Sequence, residues 1–313
     1  MTPDGERNPF HQAIYLTGAT ASGKTAVAIE LANRLDAEIF ALDSMTLYRG
    51  MDIGTAKPSI EERQGIPHHL IDILDPWESA SVAQYRDWAR AALEDAQSRG
   101  RPALFVGGTA LYLKTLLRGL FEGPSADPEL RARLEAEADA SGDIALHQRL
   151  AAVDPPSAAR LHPNDRRRVI RALEVHALVG RRLSDLQAEH DRPAPASVTV
   201  IALIRDRSAL HDRINRRVEI MFAQGLVAEV ERLRDRIHPI PAQGVGYSET
   251  LSLLEGKLNL SEAIERTQAR TRQFAKRQET WFRGLEEVRL HPLGDDEPPA
   301  ATAERLLAAG LGI

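Results

Sequence analysis

Short apolar runs alternate with stretches of helical periodicity over the first hundred or so residues of the chain. Apolar residues follow one another, with turn residues on either side, in four segments that predict strands: Ala13–Thr17, Glu38–Asp43, Leu70–Ile73 and Ala103–Gly107. Helices are predicted at Lys24–Leu35 and Ser81–Ser98, the second beginning with Ser81 and Gln84 at capping-box spacing. Strands that alternate with helices are typical of βαβ units, so this part predicts a doubly wound α/β core on a parallel sheet.

The pattern changes between two segments rich in glycine and proline, Gly119–Pro128 and Pro193–Pro195. Between them the periodicity predicts helices alone, at Pro128–Ser141, Ile144–Val153, Asn164–Val179 and Ser184–His190. The α/β pattern then resumes with a strand at Val198–Ile204 and helices at Ser208–Gln224 and Ser261–Phe282. We therefore expect an α/β core from residues 1–119 and 196–313, with an all-helical insertion domain at 120–195.

The composition excludes several classes of protein. None of the 313 residues is cysteine, which excludes disulfide scaffolds, thiolate metal sites and cysteine nucleophiles. No apolar run approaches the ~18 residues of a membrane span, and the first ten residues contain no signal-peptide core. We expect a cytoplasmic protein with no membrane partner.

Charge is distributed unevenly along the chain. The net charge is −5, which argues against a surface coated in positive charge for nonspecific nucleic-acid binding. Residues 160–182 nevertheless carry seven arginines against two acidic residues, and residues 266–283 carry six basic residues against one. On the helix predicted at 261–282, a rotation of 100° per residue places one apolar arc opposite the basic residues. That arc holds Ile264, Phe274, Ala275, Trp281 and Phe282. These stretches indicate either a polyanion-binding surface, as for RNA, or solvated helix faces.

The most specific motif follows the first predicted strand. Residues Gly18-Ala19-Thr20-Ala21-Ser22-Gly23-Lys24-Thr25 fit the P-loop pattern G-x-x-x-x-G-K-[ST], with a strand before and a helix after. The glycines let successive backbone amides face one anion, and the helix N-terminus adds its positive end. Lys24 would bridge phosphate oxygens, and Thr25 would ligate Mg²⁺, with Asp43 as a second candidate ligand. The motif predicts that the protein binds a di- or triphosphate.

Two further segments are predicted to reach the same edge of the sheet. Asp43 ends its strand at the carboxyl edge, where α/β sheets bind ligands, and there it would ligate Mg²⁺ or act as a base. Gly107, Gly108 and Thr109 end another strand, and their glycines permit close backbone approach.

Other candidate metal ligands lie around residue 70. Asp72 is an alternative ligand for magnesium. His68 and His69 are adjacent, so on a strand they would point to opposite faces, and we interpret them as structural rather than as a metal pair.

These features alone indicate a P-loop transferase or kinase. The ordered set of motifs goes further, because it resembles the bacterial tRNA dimethylallyltransferases over nearly the whole chain. Besides the P-loop, the matching segments are Asp43-Ser44, Tyr48–Pro58, Pro67–Leu70, Gly107–Thr109, Ser125–Pro128, His162–Asp165, Arg171–Glu174, Gly244–Tyr247 and Lys276–Gln278. The chain departs from the family at Ala19, where proline is usual, and at Ser248, where a basic residue commonly follows the Gly-Tyr pair. The second departure puts one tRNA contact in doubt.

The resemblance implies transfer of the dimethylallyl group from dimethylallyl pyrophosphate to the exocyclic N6 of the adenine at tRNA position 37, with release of pyrophosphate. The P-loop would then hold the prenyl pyrophosphate rather than ATP. An adenine amino group is a poor nucleophile because its lone pair is delocalised, and Asp43 matches the family's candidate base.

The resemblance also implies how the leaving group is stabilised. Lys24, Mg²⁺ on Thr25 and an arginine would neutralise the charge that develops on pyrophosphate. Thr20 would orient the leaving oxygen. Arg217 is the candidate for the arginine that binds pyrophosphate, with Arg213 and Arg216 as alternatives.

By the same resemblance, the chain would bind the anticodon stem-loop of tRNA as a monomer, with the helical insert closing over the stem. The target adenine would be turned out of its stack. The residues implied in tRNA contact are Asp43, Ser44, Met45, Thr46, Thr109, Arg131, Arg167, Arg168, Val169, Ile170, Arg171, Gly244, Val245, Gly246, Tyr247, Lys276, Arg277 and Arg283.

Other functions share parts of this set. A P-loop nucleotide kinase would use the same phosphate site and Mg²⁺, and would bind ATP tightly. An isopentenyltransferase acting on free adenine nucleotides would share the chemistry without needing the basic insert. A tRNA-binding module with a degenerate P-loop is disfavoured, since the P-loop residues and Asp43 are all present.

Overall fold

The computed structural model describes residues 8–120, 123–294 and 296–311. The chain divides into two compact units, Met1–Leu117 with Ala194–Ile313, and Arg118–Pro193. The corresponding ranges predicted from the sequence are 1–119 with 196–313, and 120–195. Each unit has a hydrophobic core of its own.

The first unit is built on a six-stranded parallel sheet. Its strands are β1 (Ile14–Gly18), β2 (Glu38–Leu42), β3 (His68–His69), β4 (Ala103–Gly107), β5 (Val200–Ile204) and β6 (Val288–Pro292). Their order across the sheet is β3-β2-β4-β1-β5-β6, and every neighbouring pair is parallel. All residues of β1 and β2 are buried, as expected for strands covered on both faces. The predicted α/β fold class with a parallel sheet is confirmed.

Two strands differ from the sequence prediction. The third strand is His68–His69 and not Leu70–Ile73, because Leu70 and Asp72 have φ angles of +63° and +57°, which break the extended run. Strand β6 was not predicted, since it lies at the sheet edge and its polar, partly exposed residues form no apolar run.

Helices surround the sheet and form the second unit. In chain order they are α1 (Lys24–Leu35), α2 (Val82–Ser98), α3 (Ala110–Arg118), α4 (Pro128–Ser141), α5 (Asp143–Val153), α6 (Pro155–Arg160), α7 (Arg166–Val179), α8 (Leu183–His190), α9 (Arg207–Ala223), α10 (Leu226–Leu233), α11 (Pro239–Ala242), α12 (Tyr247–Leu254), α13 (Leu260–Arg283) and α14 (Pro299–Ala308). The periodicity missed α3, α6, α10, α11, α12 and α14. In the part of the chain that the structure describes, no helix is long and apolar enough to cross a membrane.

The sheet buries a different set of side chains on each face. Tyr15, Phe40 and Phe105 gather on one face, with ring centroids 5.3 Å apart for Tyr15–Phe105 and 4.9 Å apart for Phe40–Phe105. Leu16 and Leu104 point to the other face, where α1 and α14 cover them. This alternation follows from the two-residue period of a strand.

The described residues of the second unit form helices and no strand, with a core of leucine and valine from α4, α5, α7 and α8. Two buried carboxylates hold these helices. Asp154 accepts hydrogen bonds from the amides of Ser157 and Ser184. Glu174 on α7 accepts from the Asp127 amide and from the Arg131 and Arg171 guanidinium groups.

A buried glutamate fixes the segment that follows Met51 in the first unit. Glu229 on α10 is 2% exposed and accepts hydrogen bonds from the amides of Asp52, Ile53 and Gly54 at 2.9, 2.8 and 3.1 Å. The Tyr247 hydroxyl donates to the same carboxylate at 2.7 Å. Four donors therefore depend on one side chain, and the residues they hold lead directly into the candidate site described below.

We expect Glu229→Ala to lower the free energy of unfolding by about 3–5 kcal/mol, because it leaves three amides and one hydroxyl without their acceptor. Urea denaturation followed by circular dichroism measures the change. The matched control is Glu231→Ala, an exposed position on the same helix, for which we expect a change within about 0.5 kcal/mol. Equal urea midpoints for the two variants would contradict the role of Glu229.

Candidate active site

The P-loop lies where the sequence predicts it, between β1 and α1. Gly18 has φ +142° and lies so close to β5 that an added Cβ would be 2.5 Å from the Leu203 carbonyl oxygen. Gly23, with φ +100°, caps α1 without any side-chain hydrogen bond to the first amides. The first amides of α1 therefore face the loop, which is the arrangement that binds an anion. Ala19 and Ser22 are each 1% exposed, so they contribute backbone groups.

Lys24 lies across this loop. Its Nζ donates to the carbonyl oxygens of Gly18 and Ala19 at 2.9 and 2.7 Å. Burial, and after it the charge of Arg217, lowers the pKa of Lys24 to about 7, while Asp43 opposes the shift. Two cationic side chains close together in a desolvated site favour an anionic ligand.

Asp43 follows β2 directly, as predicted. Its Oδ1 accepts a hydrogen bond from the Met45 amide at 2.8 Å. Burial raises the pKa of the carboxyl above its ordinary value, although the Met45 amide and the Lys24 charge favour the ionised form. The Ser44 amide donates to the Thr109 hydroxyl at 3.2 Å, so the residues after β4 hold the turn after β2. A carboxylate with a raised pKa is suited to accept a proton.

The structure separates the three arginine candidates. Arg217 Nη1 donates to the Thr20 hydroxyl at 3.3 Å, and Arg217 lines the same cavity as Asp43 and Lys24. Arg213 is exposed, and its Nε donates to the Ala21 carbonyl oxygen at 2.9 Å, so it supports the loop from outside. Arg216 is exposed and does not line the cavity. Arg217 is the candidate that faces the phosphate site.

The cavity has a polar end and an apolar wall. The polar lining consists of the P-loop residues Thr20, Lys24 and Thr25, together with Asp43, Thr46, Thr55, His68, Arg217 and Gln278. The wall is formed by Ala28, Ile39, Ala41, Ala56, Pro58, Ile71, Val106 and Phe274. Such a cavity suits a ligand with a charged head and a small apolar tail.

Magnesium binding can be judged from the donors present. Among residues 8–120, 123–294 and 296–311, no three His, Cys, Asp or Glu side chains cluster as a metal cage. The exposed Thr25 hydroxyl and the Asp43 carboxylate line one cavity, and Mg²⁺ typically takes one or two protein oxygens besides phosphate and water, so these residues fit the ion. Asp72 instead binds Lys57 Nζ at 2.6 Å.

The two histidines make the structural contacts expected of them. His69 Nε2 is 2.6 Å from Glu38 Oε2, and His68 Nδ1 is 2.8 Å from the Ile66 carbonyl oxygen. The imidazole of His68 also lines the cavity, a position that the sequence did not indicate.

The proposed tRNA-contact residues of the first unit differ in exposure. Lys276, Arg277 and Arg283 on α13 are exposed, and Arg277 lies over the Phe274 ring at 5.9 Å. The Met45 side chain contacts Gly244, where an added Cβ would lie 2.5 Å from its Cε, so the turns at 43–46 and 244–247 are neighbours. The Tyr247 side chain is 0% exposed and bonded to Glu229, so the contact predicted for this residue would fall to its backbone.

The second unit shows that many arginines of the 160–182 stretch are paired within the fold. Arg131 and Arg171 bind Glu174, Arg166 binds Asp139 and Asp143, and Arg168 binds Asp165. Arg167 is exposed. The side chains of Val169 and Ile170 are 0% and 3% exposed because they pack in the core of this unit, so the contacts predicted for these residues would fall to their backbone.

The arc predicted on α13 also needs correction. Phe274 and Trp281 are 37% and 45% exposed, whereas the buried stripe consists of Ala263, Thr267, Ala275, Gln278 and Phe282. Two residues counted as one basic face are engaged, since Arg270 binds Glu249 and Arg272 binds Asn215.

Sequence reasoning missed Gln278 and Glu229 as residues that shape the site. Gln278 is 5% exposed, lines the cavity and binds the P-loop at the Thr20 amide. The sequence does contain a signal for Gln278, because a polar residue in the middle of the apolar stripe of a helix needs hydrogen-bond partners. Glu229 shows the same signal, lying between Leu226 and Val230 on the buried face of α10.

Known proteins resemble this chain over nearly its whole length. The IPP transferase family model matches residues 46–285, and the isopentenyl transferase model matches residues 12–75. The tRNA dimethylallyltransferase of Thioalkalivibrio sulfidiphilus is 48% identical over 305 residues, which cover 95% of this chain and 94% of that protein. The full-length tRNA isopentenylpyrophosphate transferase of Bacillus halodurans aligns with a TM-score of 0.70 and 40% identity, covering 96% of this chain and 97% of that one. A eukaryotic dimethylallyltransferase solved acting on tRNA aligns with a TM-score of 0.79 and 28% identity, covering 96% and 80%.

We expect pyrophosphate binding to take up a proton through Lys24. With a pKa of about 7, Lys24 is largely neutral at pH 8, and a bound anion favours its charged form. Lys24 should take up about one proton per site at pH 8. The affinity for pyrophosphate should therefore fall as the pH rises above 7. Calorimetric titration in two buffers of different ionisation enthalpy measures the uptake.

The control for this experiment is Lys24→Arg, whose guanidinium stays charged at every pH used. Subtracting its proton uptake removes the titration of pyrophosphate itself. Equal uptake by the parent and the variant would show that Lys24 is already charged before the anion binds.

Proposed function

Because this chain belongs to the IPP transferase family, we propose that it transfers the dimethylallyl group of dimethylallyl pyrophosphate to N6 of the adenosine at tRNA position 37. Prenyl transfer to tRNA is the activity of this chain, and the position on the tRNA and the residue roles are our proposal. The observation that carries the roles is that Asp43, Lys24 and Arg217 line one cavity with an apolar wall.

The polar end of the cavity would bind the pyrophosphate. The amides at the start of α1 face the loop, and Lys24 and Arg217 bring two positive charges to it. Lys24 would exchange its bonds to the Gly18 and Ala19 carbonyl oxygens for bonds to phosphate oxygens. The dimethylallyl group would lie along the apolar wall, which excludes water from the allylic carbon.

In the reaction, N6 of adenine forms a bond to the allylic C1 as the bond from C1 to the pyrophosphate oxygen breaks. The electron pair of that bond leaves with pyrophosphate, and one N6 proton passes to Asp43. The raised pKa of Asp43 suits this step, since it makes the carboxylate a stronger base. Thr20 would donate its hydroxyl proton in a hydrogen bond to the leaving oxygen while its Oγ1 accepts from Arg217. Mg²⁺ on Thr25, with Asp43 as a second candidate ligand, would add positive charge beside the pyrophosphate.

The anticodon stem-loop is the part of tRNA that we propose this site binds. The exposed Lys276, Arg277 and Arg283 on α13 provide positive charge for its phosphates. Ser44, Met45 and Thr46 follow Asp43 directly, and the Met45 side chain lies against Gly244. This proximity to Asp43 supports our proposal that they contact the extruded adenine and its flanking nucleotides. Arg167 is the exposed candidate of the helical unit.

The two alternative functions, a nucleotide kinase and an isopentenyltransferase acting on free adenine nucleotides, are disfavoured. The phosphate site would serve either chemistry, but the relatives that match over most of the chain are named as acting on tRNA, which favours tRNA over a free adenine nucleotide as the acceptor and prenyl transfer over phosphoryl transfer. A monomeric state remains part of the proposal.

The decisive experiment is to incubate the protein with Mg²⁺, dimethylallyl pyrophosphate and unmodified tRNA and to identify the product nucleoside by mass spectrometry. We expect the mass of one dimethylallyl group added to adenosine at position 37. Asp43→Asn should lower the single-turnover rate by about 10²- to 10⁴-fold, because the proton acceptor is lost, while tRNA affinity is retained. Asp95→Asn, an exposed change on α2, is the matched control and should keep the parent rate. A full rate in Asp43→Asn would eliminate Asp43 as the base.

A second prediction concerns the basic residues. Each phosphate contact lowers the slope of log affinity against log salt by about 0.7–0.9, so replacing Lys276 and Arg277 together by alanine should make the slope shallower by about one to two units. The pair Arg167→Ala with Arg168→Ala should act in the same direction. Filter binding of tRNA across a salt series measures both.

The control for the salt series is Arg90→Ala with Arg289→Ala, two exposed arginines outside both basic stretches. Its slope should equal that of the parent. If all three double variants match the parent, these residues are ordinary solvated surface, and the tRNA lies elsewhere on the protein.

A further inference from the structure

Gln278 joins two loops that belong to different strands. Its Oε1 accepts a hydrogen bond from the Thr20 amide of the P-loop at 2.8 Å. Its Nε2 donates to the Gly108 carbonyl oxygen, after β4, at 2.9 Å. The side chain is 5% exposed and rises from the buried stripe of α13. One amide thus connects the P-loop, the end of β4 and the long helix.

The two bonds fix which way the amide points. Thr20 offers a donor and Gly108 an acceptor, so exchanging Oε1 and Nε2 would break both bonds. Gly108 leaves room for this contact, since an added Cβ would lie 2.2 Å from Nε2. The glutamine is therefore held in one orientation and in one place.

Thr20 is held from two sides. Gln278 binds its backbone, and Arg217 Nη1 binds its hydroxyl at 3.3 Å. The next residue, Ala21, has a φ angle of +62°, a left-handed conformation that is unfavourable for any residue with a Cβ atom. Its carbonyl oxygen accepts a hydrogen bond from Arg213. A loop with this local strain relies on contacts from outside to keep its shape.

We infer that Gln278 is a positioning residue for prenyl transfer, which fixes the Thr20 backbone so that the Thr20 hydroxyl meets the leaving oxygen. The inference rests on the proposed function of Thr20. Gln278 acts through Thr20 and itself takes no part in bond making or proton transfer. Although the resemblance implied that the surrounding segment contacts tRNA, this buried side chain serves the pyrophosphate site.

A double-mutant cycle tests the inference. Single-turnover prenyl transfer is measured for Thr20→Ala, for Gln278→Met and for both together. Gln278→Met keeps the volume but removes both hydrogen bonds, and we expect a loss of about 10- to 100-fold, since small misplacements in a site have effects of that order. In the Thr20→Ala background, the second change should cost less than about twofold, because the hydroxyl it positions is already gone.

Two further variants complete the design. Gln273→Met changes an exposed glutamine on the same helix and should retain the parent rate. Gly108→Ala disrupts the same link from the other side by displacing Nε2, so it should reproduce the loss and also show no further effect with Thr20→Ala. It keeps the test available if Gln278→Met does not fold, which thermal melting reports.

The outcomes separate the inference from the function on which it rests. Equal losses from Gln278→Met in both backgrounds would show a role independent of Thr20, and a parent-like rate would show no role. Either result overturns the inference while the parent still prenylates tRNA. A parent that transfers no prenyl group overturns the proposed function itself.

Discussion

The parallel arrangement of β1, β2 and β4 is the constraint on which the site depends. Strands that run in one direction end at one edge of the sheet, so the P-loop, Asp43 and Gly107–Thr109 meet there although they are far apart in sequence. Because β4 lies between β1 and β2, the strands that lead to the P-loop and to Asp43 are two strand spacings apart, or about 10 Å. Under the proposed function, pyrophosphate and the base would act from opposite sides of the reacting carbon.

The sequence alone predicted those parts of the site whose residues are contiguous in the chain. The P-loop is recognisable because its strand, glycines and helix are contiguous, and Asp43 because it directly follows an apolar run. The polar Gln278 within the buried stripe of α13 indicates that it needs partners, but no local pattern identifies those partners as positions 20 and 108. Strand β3 was misplaced for a local reason, the positive φ angles of Leu70 and Asp72, which propensity does not reveal.

Counting charges along the chain overstated the basic surface. Some arginines of residues 160–182 pair with carboxylates that lie outside this stretch, such as Asp139 on α4 and Asp143 on α5, which both bind Arg166. A count over this stretch omits those partners, so it overstates the positive charge that the fold leaves unpaired there. The exposed basic residues of α13, Lys276, Arg277 and Arg283, are a smaller set and a better guide to a polyanion-binding surface.

The two glycines that end β4 have a further consequence. Gly107 lies so close to β2 that an added Cβ would be 2.1 Å from the Leu42 carbonyl oxygen, and Gly108 carries no side chain into the gap. The floor between the P-loop and Asp43 is therefore formed by the backbone of these two glycines, with the Gln278 amide packed against Gly108. An adenine that is paired and stacked in a helix would have to leave its stack before its amino group could reach this floor. Under the proposed function, selection of an unpaired adenine begins as a steric filter, before any group on the base is recognised.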